Sequence, residues 1–168
     1  MKSILKLITV AFLTLAPLTV FAQSNVAHIN VQQLISEMPE VVAAQNELAK
    51  LEKDYTTQID NAFKEFQTKA QSYSADAANQ TDVTNQARQK ELESMQTNLQ
   101  EFRDSSAQEL QKKQMDLMTP LLEKARNAIT KVGKEQGFNY VIDSSPNGGL
   151  ILAEGKDLIE DVKRELGF

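Results

Sequence analysis

The chain has 168 residues, a formal net charge of −5, one His and no Cys or Trp. The lack of Cys excludes disulfides, thiolate nucleophiles, zinc ribbons and iron–sulfur clusters, and a single His is too few for a His-rich metal site. The acidic balance, with 18 Lys and Arg against 23 Asp and Glu, argues against nucleic acid as the main partner. The low Gly and Pro contents, six and four residues, indicate a helix-rich protein.

The first 22 residues have the pattern of a secretory signal peptide. Lys2 and Lys6 give a positive start, a mostly apolar run follows, and a Val-Phe-Ala sequence ends at Ala22. Cleavage is predicted after Ala22, with an uncleaved membrane anchor as the alternative. The apolar run is shorter than the roughly 20 residues that a membrane-spanning helix needs. The mature chain, 23–168, would be exported with a charge of −7.

The mature chain begins with elements that we predict to be short. The apolar-rich segment Val26–Asn30 is a strand candidate, and Val31–Met38 is a short helix candidate. Pro39 separates that helix from the long helical stretch that follows, because proline cannot continue a helix from the preceding turn.

Residues 39–136 are predicted to form an antiparallel helical hairpin, the arm. In the first half, apolar residues recur at steps of three and four, with a mean near the coiled-coil period of 3.5. The polar stretch 74–84 reverses the chain between the two halves. One apolar stripe per helix can join the pair but cannot build a core several layers deep. The stripe in the first half consists of Leu48, Leu51, Tyr55, Ile59, Ala62, Phe66, Ala70 and Tyr73, and that in the second half of Leu92, Met95, Leu99, Phe102, Leu110, Leu117, Leu121, Ala125, Ala128 and Val132.

Two features should disturb the second half of the arm. Ser106 and Gln114 fall on the stripe, so the seam between the helices is expected to be poor there. Pro120 lies inside the helix and should kink it, because it removes one backbone hydrogen bond and crowds a carbonyl one turn back. We expect Pro39 and Pro120 to mark bends at similar heights on the two helices.

The C-terminal part is predicted to be a small β body. Gly137 ends the long helix. Strands are predicted over 138–142 and 150–153 around the turn 143–149, which together make a β-hairpin. The segment 157–166 is predicted to be an amphipathic helix. The body is therefore discontinuous and combines 23–38 with 137–168.

The predicted strands are too few to stand alone as a sheet. Their apolar side chains would remain partly exposed, and exposed strand edges invite pairing with other copies. The sequence thus predicts an obligate homo-oligomer that is joined at the body, with the arms projecting from it. The residues expected to make that contact are Val26, Ile29, Tyr140, Val141, Ile142, Leu150, Ile151 and Leu152.

The sequence shows no set of residues that would carry a reaction. It contains no nucleophile–base–orienter set, no glycine-rich phosphate loop and no metal-ligand spacing. We therefore predict that the protein is not an enzyme and uses no cofactor.

Several segments occur in a distinctive order around the hairpin. They are the Pro-Glu-Val entry at 39–41, the proline-bearing segment 117–124 and the run V-G-K-E-Q-G-F-N-Y-V-I-D at 132–143. In this combination the whole mature chain resembles the Skp/OmpH-like family of periplasmic chaperones. The two ends carry most of this resemblance, since any coiled coil would look like the arms.

The resemblance implies an α+β, predominantly α protein whose small β bodies assemble into a central barrel. It implies a homotrimer in the periplasm whose arms hold unfolded outer-membrane β-barrel proteins without ATP. The chain departs from the basic chaperone of the family, because residues 40–131 contain 12 Lys and Arg against 15 Asp and Glu. Electrostatic attraction of acidic clients would therefore be weak. A transient contact with a membrane surface is a further candidate interaction.

The outer parts of the arm contain the candidate client-binding residues. They form either an adaptable apolar lining for an unfolded chain or the seam between the two helices. The seam is favoured for Phe66 and Phe102, whereas Phe63 lies off the stripe. The candidates are Phe63, Phe66, Tyr73, Met95, Leu99 and Phe102.

Two other classes of function are alternatives to a holdase, a chaperone that holds unfolded proteins without ATP. The first is a structural or adaptor coiled coil of the cell envelope that binds a folded partner. The second, binding of anionic lipid or nucleic acid, is disfavoured because the mature chain is acidic and lacks a basic stripe.

Overall fold

A computed structural model describes residues 25–146 and 148–168, so the predicted signal peptide lies outside the described residues. Two long helices and the 3₁₀ turn between them form the arm, and the other elements form the body. This confirms the predicted fold class, a mainly helical α+β protein with a helical hairpin on a small β body. In chain order the elements are strand β1 (Val26–Ile29), helices α1 (Val31–Glu37) and α2 (Pro39–Asp76), a 3₁₀ turn (Ala77–Asn79), helix α3 (Asp82–Glu135), strands β2 (Tyr140–Asp143) and β3 (Lys156–Asp157), and helix α4 (Ile159–Leu166).

Local sequence signals set the limits of the arm helices. Met38 has an extended backbone with ψ of 122°, so α1 stops there and α2 starts with Pro39 at its first position. At the tip, the Thr81 hydroxyl accepts a hydrogen bond from the backbone N–H of Thr84 and caps α3. The reversal therefore lies at the 3₁₀ turn and Thr81, inside the predicted range.

Helix α3 runs for 54 residues and continues through Pro120. The kink predicted at this proline stays a prediction. The helix ends at Glu135, and a left-handed glycine, Gly137, with φ of 76°, follows two residues later. There the N–H of Phe138 donates to the carbonyl of Gly133 at 2.9 Å, which satisfies a carbonyl that would otherwise be left open at the helix end.

The sheet has the strand order β2-β1-β3 and is entirely parallel. The predicted β-hairpin is therefore wrong: β2 pairs with β1 rather than with 150–153, and those four residues form no strand. The apolar composition of 150–153 favoured a strand, but a strand also needs a partner edge. In this chain β1 occupies the inner edge of β2, with Val26 opposite Tyr140.

The two faces of the sheet differ in their surroundings. Ala27 and Ile29 point to the helices and are 0% and 1% exposed, whereas Val26, Tyr140 and Ile142 are exposed. We call the side of Val26, His28, Tyr140 and Ile142 the outer sheet face, because side chains alternate along a strand. The core on the inner side joins both chain ends to the base of the arm and comprises Ala27, Ile29, Leu34, Met38, Val41, Ala125, Ala128, Val132, Leu158 and Val162.

Helix α4 closes the core as its amphipathic pattern predicts. Leu158 and Val162 are fully buried, and Ile159 and Leu166 pack beside them. Its polar side is tied to the other helices, because the Lys163 ammonium lies 2.5 Å from a Glu37 carboxylate oxygen.

The start of α1 is capped by side chains from both ends of the chain. Asn30 Oδ1 accepts from the N–H of Gln33, and Ser145 Oγ accepts from the N–H of Gln32 at 3.0 Å. Asp143 Oδ1 accepts from the N–H of Val31 and from both the N–H and the hydroxyl of Ser145. These bonds hold the pKa of Asp143 below its ordinary value, chiefly through the Ser145 hydroxyl.

Candidate functional site

The arm is a thin structure whose two helices bury little side-chain surface. Every predicted stripe residue of α2, from Leu48 to Tyr73, is half-buried. In α3, only Leu99 and Ser106 are buried on the tip side of Ala125, with 9% and 5% of their surface exposed. The side chains between the helices thus pack against the opposite helix on one side and remain exposed to solvent on the other, as one apolar stripe per helix predicts.

The seam is interrupted where Ser106 replaces a large apolar residue. Its hydroxyl is buried and finds no hydrogen-bond partner within the described residues. The prediction that Gln114 also lies on the seam is wrong, because Gln114 is exposed and its neighbour Lys113 is half-buried. A helix with 3.6 residues per turn drifts away from a strict 3.5-residue stripe over this distance.

A first hollow opens on one side of the distal arm. Phe63, Phe66 and Leu99 give it apolar walls, and its volume is about 560 Å³. The Phe63 side chain is 39% exposed. The remaining lining is polar and of mixed charge, and consists of Glu93, Gln96, Thr97, Gln100, Glu101 and Arg103.

A second hollow opens at the same height and shares Leu99 with the first. Ala62, Met95 and Phe102 give it apolar walls, and its volume is about 550 Å³. Phe102 meets Tyr55 edge to face, with ring centroids 6.2 Å apart. The polar lining comes from Gln58, Asn61, Glu65 and Asn98.

The structure thus brings together five of the six predicted site residues. Phe63 and Phe66 line the first hollow, Met95 and Phe102 line the second, and Leu99 lines both. Phe66 and Phe102 belong to the seam as well as to a hollow, so the two interpretations of these side chains are compatible. Both hollows are open and can accept an apolar side chain without a fixed pose.

Tyr73 lies apart from both hollows, in a polar cluster near the tip. Its hydroxyl donates to Glu91 at 2.6 Å, and the Arg88 guanidinium lies 4.7 Å above its ring. The Lys69 ammonium also donates to Glu91 at 2.6 Å and, together with the Tyr73 hydroxyl, holds the pKa of that carboxyl below its ordinary value. The same bonds raise the pKa of Tyr73 and of Lys69. Tyr73 therefore fixes the arm rather than offering a free apolar surface.

Ion pairs between α2 and α3 recur along the whole arm. They join Glu40 to Lys124 and Glu47 to Lys113 near the body, and Asp76 to Arg88 at the tip. The sequence alone does not predict these partners, because the helical register decides which residues face each other and no local signal encodes that register. Each exposed pair contributes little stability, but together they define one register where the apolar seam is thin.

The predicted oligomerisation residues do not all remain available for a second copy. Ile29 lies in the chain's own core and Val141 packs against that core, so Ile29 has no surface left for a partner. Five of the others are exposed to different degrees: Val26 (37%), Tyr140 (64%), Ile142 (40%), Ile151 (100%) and Leu152 (70%). Leu150 is half-buried, and Leu150 and Leu152 line a small pocket of about 130 Å³ against Val26, His28 and Ile142 on the outer sheet face.

Two kinds of site do not occur in the part of the chain that the structure describes. No cluster of three or more His, Asp or Glu side chains is placed to hold a metal ion within 25–146 and 148–168. No helix among these residues is both long and apolar enough to cross a membrane.

A long two-helix arm on a small parallel sheet, with apolar hollows along the arm, defines a hairpin-armed α+β protein. The family model described as "Outer membrane protein (OmpH-like)" matches residues 25–166. The chain therefore belongs to the OmpH-like family, as the sequence resemblance indicated.

Two relatives show how far this similarity extends. The protein named Chaperone protein Skp from Yersinia enterocolitica is 24% identical over 148 residues, which cover 85% of this chain and 86% of that protein. The crystal structure of an OmpH-like protein from Caulobacter crescentus superimposes with a TM-score of 0.76. It has 12% sequence identity and covers 84% of this chain and 83% of its own, so this comparison concerns the fold alone.

Proposed function

We propose that this protein is an ATP-independent periplasmic holdase that keeps unfolded outer-membrane β-barrel proteins from aggregating. The observation that carries the proposal is the pair of open hollows on either side of Leu99. Each has apolar walls and a polar rim, so each can take a single apolar side chain from many different sequences. The similarity to the protein named Skp supports the chaperone class.

In this proposal the mature protein works as a homotrimer. The outer sheet face and the segment 150–152 provide the exposed apolar surface by which copies associate through their bodies. Three arms would then enclose a space whose walls include the hollows. A client would be held by many weak contacts, because one tight site would oppose its release into the membrane.

The mechanism needs neither a reaction nor a cofactor. The client is retained while it is unfolded and leaves when its own folding in the membrane becomes more favourable. Charge contributes little to its capture, because residues 40–131 are slightly acidic rather than basic. The apolar walls, rather than electrostatic attraction, therefore provide the affinity.

The test is suppression of aggregation by variants of the hollows. A urea-unfolded outer-membrane β-barrel protein is diluted into buffer, and light scattering is followed with wild type, Phe63→Ser and Met95→Ser. Each substitution removes one apolar wall and should weaken the protection several-fold, and the double variant should weaken it further. The matched control is Val83→Ser, which changes a 77% exposed apolar residue at the tip, outside both hollows.

The same experiment separates a holdase from an adaptor. Gradual loss across the variants supports the proposal. Full protection by the double variant would contradict it, since the hollows would then take no part in retention. An adaptor that binds one folded partner would give no protection at all, even as wild type, and would depend on a few dominant contacts with that partner.

A further inference from the structure

Near its tip, the arm packs a tyrosine of α2 between a cation and a carboxylate of α3. The guanidinium carbon of Arg88 lies 4.7 Å from the centroid of the Tyr73 ring, which is within the range of a cation–π contact. The hydroxyl of Tyr73 donates to the Glu91 carboxylate at 2.6 Å. Both the ring face and the polar end of this tyrosine therefore have a complementary partner.

Tyr55, closer to the body on the same helix, is held by a related set of contacts. Its ring meets the Phe102 ring edge to face, with centroids 6.2 Å apart. Its hydroxyl donates to the Glu109 carboxylate. In both places the arm supplies an aromatic or cationic partner for the ring and a glutamate for the hydroxyl.

The first hollow contains all of these partners, but no tyrosine is among the described residues that line it. Phe63 and Phe66 supply aromatic rings, and Arg103 supplies a guanidinium. Glu93 and Glu101 supply carboxylates on the rim. The Phe63 side chain is 39% exposed, so its ring is accessible to another molecule. The hollow therefore has the contacts that the arm uses for its own tyrosines, without an occupant from the arm.

The charged groups of the first hollow are available for a partner from outside. Arg103 is exposed and forms no ion pair with any residue that the structure describes. Arg88, by contrast, pairs with Asp76 on the opposite helix at 3.1 Å. Glu101 is also exposed and is unpaired within the same ranges. An incoming side chain would thus displace no ion pair of the arm.

The second hollow has a different chemistry. Among the described residues its lining includes the carboxylate of Glu65 but neither Lys nor Arg. Phe102 already contacts Tyr55 with its ring. The flexible thioether of Met95 adapts to irregular apolar shapes. The second hollow therefore suits aliphatic side chains, and the two hollows differ in the client residues that they accept.

We propose that the first hollow is a subsite selective for a tyrosine side chain of the unfolded client. The client ring packs against Phe63 and Phe66 beside the Arg103 guanidinium. The client hydroxyl donates to the carboxylate of Glu93 or Glu101. This inference rests on the proposed holdase function and specifies which client residues the hollow recognises.

Tyrosine is a side chain that outer-membrane β-barrels supply at regular places. Girdles of aromatic residues, among them Tyr and Trp, flank the apolar band of these barrels at both membrane interfaces. The first hollow would therefore engage the ends of the client's future strands, and the second hollow their aliphatic middle parts. Each contact is weak, so many of them together retain the client without opposing its release.

Competition between short peptides tests this selectivity. The reporter is a peptide of about ten residues, the length of a membrane-spanning strand, with alternating polar and apolar residues and a fluorinated tyrosine at its centre. Its binding to the mature protein is followed by fluorine NMR. Unlabelled peptides that differ only in the central residue, Tyr, Phe or Leu, compete with it. We expect the Tyr peptide to bind about two- to fivefold more tightly than the Leu peptide, the effect of an exposed cation–π contact, with the Phe peptide between them.

Substitutions on the rim show whether the first hollow is the source of the selectivity. Arg103→Gln removes the cation and should bring the ratio of the Tyr and Leu affinities close to one, whereas Arg103→Lys should restore part of it. Combined Glu93→Gln and Glu101→Gln should reduce the advantage of Tyr over Phe, because a neutral acceptor binds a hydroxyl more weakly than a carboxylate does. The matched control is Arg126→Gln, the same change at an exposed position of α3 outside both hollows, which should keep both ratios.

Each outcome has a separate meaning. Equal binding of the Tyr peptide and either other peptide, or a preference that Arg103→Gln leaves unchanged, overturns the tyrosine subsite. Suppression of aggregation by wild type would then still support the holdase function. A reporter that does not bind at all overturns the first hollow as a client site and this inference with it. A Tyr preference that is lost in Arg103→Gln and kept in Arg126→Gln supports the subsite.

Discussion

The hydroxyl of Tyr73 on α2 and the carboxylate of Glu91 on α3 form a hydrogen bond of 2.6 Å across the arm. The Lys69 ammonium donates to the other oxygen of the same carboxylate. One glutamate thus joins two residues one turn apart on the opposite helix. This arrangement fixes the register near the tip, where the helices have few buried side chains to define it.

The first prediction concerns this carboxylate. Glu91→Gln removes the charge that Lys69 pairs with, and amide hydrogens of the distal arm should exchange faster while those of the body stay protected. Hydrogen–deuterium exchange read by mass spectrometry measures both regions. Glu93→Gln is the matched control, because among the described residues the Glu93 carboxylate accepts a hydrogen bond only from Gln89, on its own helix. Equal effects of the two substitutions would show that Glu91 does not fix the tip.

The second prediction concerns pH. The pKa of Glu91 is lowered, so its contribution to arm stability is present above its unfolded pKa of about 4.3 and is lost as the pH falls through the lower, folded value. The pKa of Tyr73 is raised, so its contribution is present below about 10 and is lost as the pH rises through the higher, folded value. The melting temperature of the helices should be highest between these two pH limits.

Circular dichroism melts across the pH range give this profile. In Glu91→Gln the melting temperature should fall less at both the acidic and the alkaline end of the range, because the partner of Lys69 and Tyr73 no longer ionises. An unchanged profile in the variant would assign the pH dependence to other groups, such as Asp76, whose pKa the Arg88 guanidinium also lowers.

Much of the fold follows from local patterns in the sequence. The stripe from Leu48 to Tyr73 predicts which side of α2 is half-buried, and Gly137 predicts the end of α3 because only a flexible residue adopts its positive φ readily. The apolar hollows were also accessible from sequence, since Phe63 lies just off the stripe and Phe66 lies on it.

Other features depend on tertiary contacts that no local pattern reports. The segment 150–153 has the composition of a strand, yet β2 pairs with β1, which is more than 100 residues away in the chain. Strand composition does not encode the choice of partner. The cap of α1 by Ser145 likewise joins residues 113 positions apart. Both contacts form only when the two chain ends meet.

The third prediction concerns the close approach of β2 to α3 at Gly133. A Cβ atom there would lie 2.8 Å from Cγ2 of Val141, too close unless the Val141 side chain or its strand shifts. Gly→Ala inside a helix normally stabilises a protein by about 0.5–1 kcal/mol, whereas overpacking costs about 1–3 kcal/mol. Gly133→Ala should therefore lower the free energy of unfolding, measured in urea at fixed protein concentration.

A double variant shows whether this contact is the cause. Val141→Ala removes the crowding methyl group, so Gly133→Ala should cost less in the Val141→Ala background than in wild type. Additive effects of the two substitutions would place the cost of Gly133→Ala elsewhere.

The fourth prediction concerns salt. Because the arm is only slightly acidic, its association rate with an acidic unfolded client should change less than about twofold between roughly 0.01 M and 0.15 M salt. The Debye length falls from about 30 to 8 Å over the same range. Stopped-flow fluorescence measures the rate. The comparison variant carries Glu93→Lys and Glu101→Lys on the rim of the first hollow and should associate faster, with a clear salt dependence. A wild-type rate that falls steeply as the salt concentration rises would show that electrostatic attraction does contribute to capture.

The solution mass of residues 23–168 tests the central claim most directly. Light scattering is recorded for the protein alone and after dilution of a urea-unfolded outer-membrane β-barrel protein into it. We predict a mass of three chains alone and a soluble complex of three chains with one client in the mixture. An assembled protein that leaves the β-barrel to aggregate would contradict the holdase function, although the fold and the assembly would stand.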